Sequence, residues 1–239
     1  ITAPNKEGVL AHFEHNERLE STLAERGKEE QLAKVQRAAE LIQAVSVLQE
    51  LPLGLGHAVG LAEQVLDDDE DVVAVMLPDD IVLPMGVMEK MAQVRSELGG
   101  SVLCAFNVSR DEVSNYGVFD IEESDQPNVK RVRGMVEKPD VEDAPSTFVA
   151  TGRYLLDRAI FDALRRITSG KGGELQLTDA IELLIEEGHP VHIVVHEGKR
   201  HDLGNPGGYI RACLDFGLQD PTYGPGLRRY MERLLANQD

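Results

Sequence analysis

Four short clusters carry the side chains that could act on a ligand. Leu77–Asp80 (LPDD) directly follows the apolar run Val72–Leu77. Carboxylates at the carboxyl end of a buried parallel strand project into the crevice where α/β sheets bind ligands. Asp79 there suits a hard cation such as Mg2+, which takes one or two carboxylates together with substrate phosphates. The competing reading is that Asp79 or Asp80 caps the helix beginning near Gly86. His201–Pro206 (HDLGNP) offers Asp202 as a second carboxylate to the same cation, with Gly204 and Gly207 allowing the backbone close to a ligand. Read alone, that segment is a tight turn with Asp202 as its turn residue. A His-Asp metal phosphohydrolase would need more histidines at ligand spacing than these seven scattered ones supply.

The other two clusters suit a phosphorylated sugar and a base. In Met135–Pro139 (MVEKP), Glu137 and Lys138 are neighbours at a strand end, so they point to opposite sides. One could grip a sugar hydroxyl and the other a phosphate. The plainer reading is an exposed ion pair contributing about 0–1 kcal/mol. Gln49–His57 (QELPLGLGH) reads as a Gly-rich turn from a strand into a helix, whose free N–H groups suit a nucleotide. The Gln49 amide donates and accepts at once, as a base edge requires. The segment lacks the spacings of a dinucleotide-binding loop or a P-loop, and alone it is a connecting loop.

The elements that must position these residues alternate along the chain. Strand-like runs are Val45–Leu48, Val72–Leu77, Val102–Val108, Gly117–Ile121, Val129–Val136, Phe148–Leu155 and Val191–His196. VVAVML and VLCAFNV are continuously apolar, as strands buried on both faces are. Helix-period segments lie among them at Gln31–Leu41, His57–Leu66, Gly86–Leu98, Ala159–Ile167, Thr178–Glu187 and Gly207–Leu218. Thr178 is a candidate cap for its helix, and Tyr223–Leu235 reads as an amphipathic tail helix. The alternation predicts an α/β fold with a mainly parallel sheet covered by helices. With no internal repeat or long linker, residues 1–239 read as a single domain, of which 206–239 form a C-terminal helical segment. Asp67–Asp71 (DDDED) is a solvated turn rather than a calcium site.

Composition narrows the partners. There are 24 basic against 42 acidic side chains in 239 residues, a formal net charge of −18. Such a surface repels nucleic-acid polymers and anionic membranes, yet a few lysines or a metal ion can still hold small phosphates. The first residues lack a basic stretch followed by an apolar run, and no segment approaches the roughly 20 apolar residues of a membrane helix. The two cysteines, Cys104 and Cys213, sit among apolar neighbours and read as reduced core thiols, which favours the cytoplasm.

Taken in order, ITAPNK, QELPLGLGHAV, LPDD, NYGVF, MVEKP, ATGRYLL, GGELQLTDAI and HDLGNPGGY resemble the bacterial UTP–glucose-1-phosphate uridylyltransferases of the sugar-nucleotidyltransferase superfamily. The similarity runs from Ile1 to about Leu218, and GELQLTDAI and GLGHAV are its most specific parts. It implies a Rossmann-like nucleotidyltransferase fold, a mixed and mostly parallel sheet flanked by helices. It implies that Gln49 and the backbone around Gly54 recognise uracil, and that Asp79 and Asp202 hold Mg2+. By the same resemblance, Gly117 and Glu137 bind glucose hydroxyls, Lys138 the glucose phosphate, and the strand around Gly152 the sugar. The catalytic set would be Lys138, Asp79 and Asp202. The expected reaction converts UTP and glucose 1-phosphate to UDP-glucose and pyrophosphate, in a homodimer or homotetramer. The family's first strand and its Gly-rich GxGxR…K loop are not among these 239 residues. The expectation is therefore turnover by the intact protein and weak UDP-glucose binding by this chain alone. The alternatives are a sibling enzyme with another base or sugar, and a non-catalytic nucleotide-sugar-binding protein.

Overall fold

The computed structural model describes residues 1–122 and 126–236. Its helices are α1 (Glu17–Glu25), α2 (Glu29–Leu41), α3 (Leu55–Leu61), α4 (Val87–Leu98), α5 (Ala159–Arg166), α6 (Leu177–Glu186), α7 (Pro206–Gln219) and α8 (Gly224–Ala236). Its strands are β1 (Val72–Met76), β2 (Asp80–Leu83), β3 (Ser101–Asn107), β4 (Gly117–Glu122), β5 (Val129–Glu137), β6 (Phe148–Asp157), β7 (Val191–Val195) and β8 (Lys199–Asp202). The chain divides into two compact units, one of Ile1–Glu70 with Phe161–Ala180, the other of Asp71–Ile160 with Ile181–Asp239. It crosses between them at Glu70–Asp71 and again within α5 and α6.

All the described strands belong to the second unit. Six form one mixed sheet in the order β1-β6-β3-β7-β5-β4, and β4 also pairs with β6. Among the described strands only β3–β7 pair in parallel; every other strand pairing runs antiparallel. The mostly parallel sheet expected from the sequence is thus corrected to a mixed, mainly antiparallel one. A continuous apolar run reports burial on both faces, not direction. β3 is buried from Ser101 to Phe106 because it lies between the antiparallel β6 and the parallel β7. β1 carries an equally apolar run, yet Ala74 and Met76 are exposed, since β1 pairs only with β6 among the described residues.

Packing follows the helix period. Val87, Met91 and Val94 recur at i, i+4 and i+7 on α4 and bury one face on Val102, Cys104 and Phe106 of β3. Val118, Val129, Val149 and Val194 belong to the same core, and each such side chain contributes roughly 1.5–3 kcal/mol when fully buried. Three expected features differ. Val45–Leu48 forms no strand and makes only the parallel bridge of Leu48 with Thr2. α6 starts at Leu177, so Thr178 sits buried inside the helix rather than capping it. Cys104 is buried, but Cys213 is exposed, because α7 turns its Gly208–Ala212 face inward.

One buried histidine in this unit is held away from its ordinary ionisation. His192 on β7 is buried, and its Nδ1 has no hydrogen-bond partner. Burial, reinforced by Arg131, holds the ring below its ordinary value of 6.5, against a hydrogen bond with the Gly99 backbone. The unfolded chain therefore binds the extra proton first as pH falls through about 6.5, and stability declines there. The melting temperature should drop between about pH 7.5 and about pH 5.5, and His192→Gln should drop less. Equal drops in the two proteins would contradict this.

Candidate functional site

Asp79 and Asp202, far apart in sequence, are brought together by a two-stranded ribbon that the sequence pattern did not reveal. β2 and β8 pair antiparallel, with Asp80 opposite Asp202. Leu203 N donates to Asp79 O at 2.7 Å, closing the turn before β2 onto the end of β8. A Cβ at Gly204 would lie 2.8 Å from Asp79 Oδ2 and 3.1 Å from Asp202 Oδ1, so both carboxylates converge on the space that this glycine leaves. Asp202 Oδ1 also accepts from Gly204 N at 2.9 Å, so the local turn role read from the sequence is present too. Neither Asp79 nor Asp80 caps α4, whose N-cap is Gly86. Among the described residues no cluster of three or more His, Cys, Asp or Glu forms a metal cage. Two carboxylates around a vacant Cβ position fit a hard divalent cation that draws its remaining ligands from water and substrate oxygens. On one side Asp202 lines a cleft of about 440 Å³ with Asn107, Tyr116, Arg200, Asn205 and Arg211.

The two adjacent carboxylates of LPDD have opposite surroundings. Asp79 is exposed, whereas Asp80 is buried and bound bidentately by Arg200, Nε to Oδ1 at 2.7 Å and Nη2 to Oδ2 at 2.9 Å. Gly152 N donates to Asp80 Oδ2 at 2.9 Å, and Arg153 Nη1 donates to Leu77 O at 2.9 Å. A Cβ on Gly152 would come within 2.6 Å of Leu77 Cβ, so this glycine is there to let β6 lie against the LPDD turn. Burial opposes the charge on Arg200, but Asp80 and a hydrogen bond with Tyr116 overcome it and hold the guanidinium more firmly protonated than usual.

Gly117 and Glu137 face each other as register partners at the joined ends of β4 and β5. Lys138 N donates to Tyr116 O at 2.9 Å, so NYG and VEKP form one backbone-linked corner. The expectation that Glu137 and Lys138 point to opposite sides is corrected. β5 ends at Glu137, and Lys138 adopts a left-handed φ of 44° just before Pro139. That turn brings Lys138 Nζ to 3.4 Å from Glu137 Oε1. A lysine in this conformation is strained, and such strain gathers at functional sites.

In the first unit, Gln49 and Gly54 are brought together as expected. Gln49 Nε2 donates to Gly54 O at 3.2 Å and lies 2.9 Å from His57 Nδ1. Both amide hydrogens are thus engaged, and only Oε1 is left to meet a base. The turn is pinned by the other specific motif: Leu175 N donates to Leu53 O, and Gly56 N to Leu175 O, at 2.8 and 2.9 Å. Gly54, at φ 102°, would drive a Cβ to 2.7 Å from Leu175 O. Here the glycines serve contact with GELQL, and one N–H expected to be free is already bonded. Sequence reasoning missed Arg200, Arg153, Tyr116 and His57. Arg200 stands two residues before Asp202, but nothing in its spacing signals a partner on β2.

Comparison with known proteins bears on the chain as a whole. A family model described as nucleotidyl transferase matches residues 3–217. The chain is 36% identical over 239 residues to the UTP–glucose-1-phosphate uridylyltransferase YngB of Bacillus subtilis, spanning all of this chain and 79% of that one. It is 34% identical over 235 residues to a UTP–glucose-1-phosphate uridylyltransferase of Staphylococcus epidermidis, spanning 98% of this chain and 80% of the other. Among solved structures it is similar to a UTP-bound UGPase from Acinetobacter baumannii, with TM-score 0.84, 31% identity and coverage of 98% and 81%. It is also similar to a UDP-glucose pyrophosphorylase complexed with UDP-glucose, with TM-score 0.81, 30% identity and coverage of 92% and 80%.

Gly204→Ala tests the convergence of the two carboxylates. The new methyl group would push against the mobile ends of two exposed or half-exposed side chains, so stability should change by no more than about 0.5 kcal/mol. Divalent-ion affinity, read by Mn2+ titration, should fall at least severalfold because the methyl group occupies the space between the carboxylates. Unchanged affinity would show that the cation binds elsewhere.

Proposed function

Because the chain belongs to the nucleotidyl transferase family, we propose that it transfers the uridylyl group of UTP to glucose 1-phosphate, giving UDP-glucose and pyrophosphate. The observation that carries this reading is the convergence of Asp79 and Asp202 on Gly204. Two anions that repel each other must be aligned, and two fixed carboxylates supply the place for the charge that reconciles them.

A phosphate oxygen of glucose 1-phosphate attacks the α-phosphorus of UTP in line. The new P–O bond forms as the bond to the departing pyrophosphate breaks, with no covalent intermediate on the protein. Asp79 and Asp202 would hold Mg2+, whose charge offsets that of the phosphates. Lys138 neutralises the sugar phosphate, and its corner with Glu137 and Gly117 holds the glucose hydroxyls. The strand around Gly152 borders the sugar. Gln49 accepts from uracil N3–H through Oε1, its NH2 being held by Gly54 O and His57. The matching uracil carbonyl then needs a donor from the backbone around Gly54.

In the same reading, residues 1–239 act as one domain, with 206–239 as its helical C-terminal segment. The exposed Tyr209 and Ile210 of α7, with Tyr230 and Leu235 of α8, support a homodimer or homotetramer; light scattering that finds only monomer would refute it. No described helix is long and apolar enough to cross a membrane. Cys104 and Cys213 are both free, as reduced thiols are in the cytoplasm, a location to be checked by fractionation.

Pyrophosphate release by the intact protein from UTP, glucose 1-phosphate and Mg2+, beside a panel of other nucleotides and sugar phosphates, tests the reaction. Preference for another pair would make the protein a sibling enzyme; UDP-glucose binding without release would make it a binder. Lys138→Ala should lower kcat/KM on the order of 10²-fold. Glu137→Gln should raise KM for glucose 1-phosphate and spare UTP. Equal effects of Glu137→Gln on both substrates would remove Glu137 from the sugar. Gln49→Ala should weaken UDP-glucose binding by about 1–3 kcal/mol in calorimetry, and no loss would exclude it from the uracil.

A further inference from the structure

The buried ion pair behind the two converging carboxylates ties several parts of the site to one side chain. Arg200 reaches Asp80 on β2 through two hydrogen bonds, and its guanidinium carbon lies 4.9 Å from the centre of the Tyr116 ring. Asp80 directly follows Asp79 in the chain. Arg200 stands two positions before Asp202, and Tyr116 precedes Gly117 while accepting from Lys138 N. The side chains of the pair are 6% and 16% exposed. Taking two charges out of water costs about as much as their attraction returns, so such a pair is a weak source of stability. Its geometry is specific, however: a planar fork on a carboxylate whose second oxygen is also held by Gly152 N.

We propose that the Asp80–Arg200 pair is the positioning device of the site, setting the separation of Asp79 and Asp202 for a divalent cation and coupling cation binding to sugar-phosphate binding through Tyr116. In this role both side chains act through the residues that they hold. The proposal rests on the function proposed above, which places the cation at Asp79 and Asp202 and the sugar phosphate at Gly117 and Lys138.

Positioning and plain electrostatics differ in sign. Losing Arg200 leaves Asp80 as an extra carboxylate, so electrostatics alone would tighten cation binding in Arg200→Met; positioning weakens it. Arg200→Lys keeps the charge but loses the fork, so it restores binding only if charge is what matters. The probe is Mn2+, its free concentration read by electron paramagnetic resonance on the full 239-residue chain, with and without glucose 1-phosphate, beside melting temperatures. Mn2+ affinity should fall about 10-fold or more in Asp80→Asn, Arg200→Met and Arg200→Lys, as when other groups that orient metal ligands are lost. The double variant Asp80→Asn/Arg200→Met removes both buried charges, guards against misfolding of the singles, and should be no worse than either. Glucose 1-phosphate should tighten Mn2+ binding in the wild type but not in Tyr116→Leu. Wild-type or tighter Mn2+ binding by Arg200→Met, or its restoration by Arg200→Lys, overturns the proposal while leaving the proposed function standing. Wild-type Mn2+ binding that is indifferent to Asp79→Asn overturns both.

Discussion

Two carboxylates held against one another repel, and the arrangement of the second unit answers that constraint. In a chain of net charge −18, no general surplus of cations relieves this. Backbone does the holding instead. The β2–β8 ladder, the bond from Leu203 N to Asp79 O and the turn at Gly204 keep Asp79 and Asp202 close. Arg200, two residues before Asp202, is taken up by Asp80 behind them. The pair is left with negative charge to offer an incoming divalent ion.

The same economy appears at the other contact points. Tyr116 O receives Lys138 N, so the sugar corner is closed by a backbone bond and by a lysine in an unfavourable conformation. In the first unit, Leu53, Gly56 and Leu175 exchange backbone bonds that lock the Gln49–Gly54 turn. Side chains that would meet a ligand are thereby carried by rigid backbone, which limits the freedom lost on binding. Glycine is required where backbone passes close, as Gly54 does at Leu175 and Gly152 at Leu77.

Much of this was legible in the chain itself. The apolar runs mark β1, β3, β4, β5, β6 and β7 to within a few residues, and the helix-period segments mark α2 to α8. The order of LPDD, NYGVF, MVEKP, GELQLTDAI and HDLGNP suffices for the family, because each is a local motif whose residue types are dictated by a turn or strand end. The charge balance likewise follows from composition alone.

What only the tertiary structure decided was direction, partnership and side. Strand direction was invisible because an apolar run looks the same beside a parallel or an antiparallel neighbour, as β3 has both. β2 and β8 were missed because KRHD is too short and polar to show a period, and it becomes a strand only by pairing with DIVL. Which aspartate of LPDD faces outward depends on Arg200, distant in sequence and recognisable as its partner only once β8 lies beside β2. Residue types determine what chemistry a segment is capable of. Long-range backbone pairing determines which of those groups meet, because a contact between distant segments leaves no periodic trace in either one.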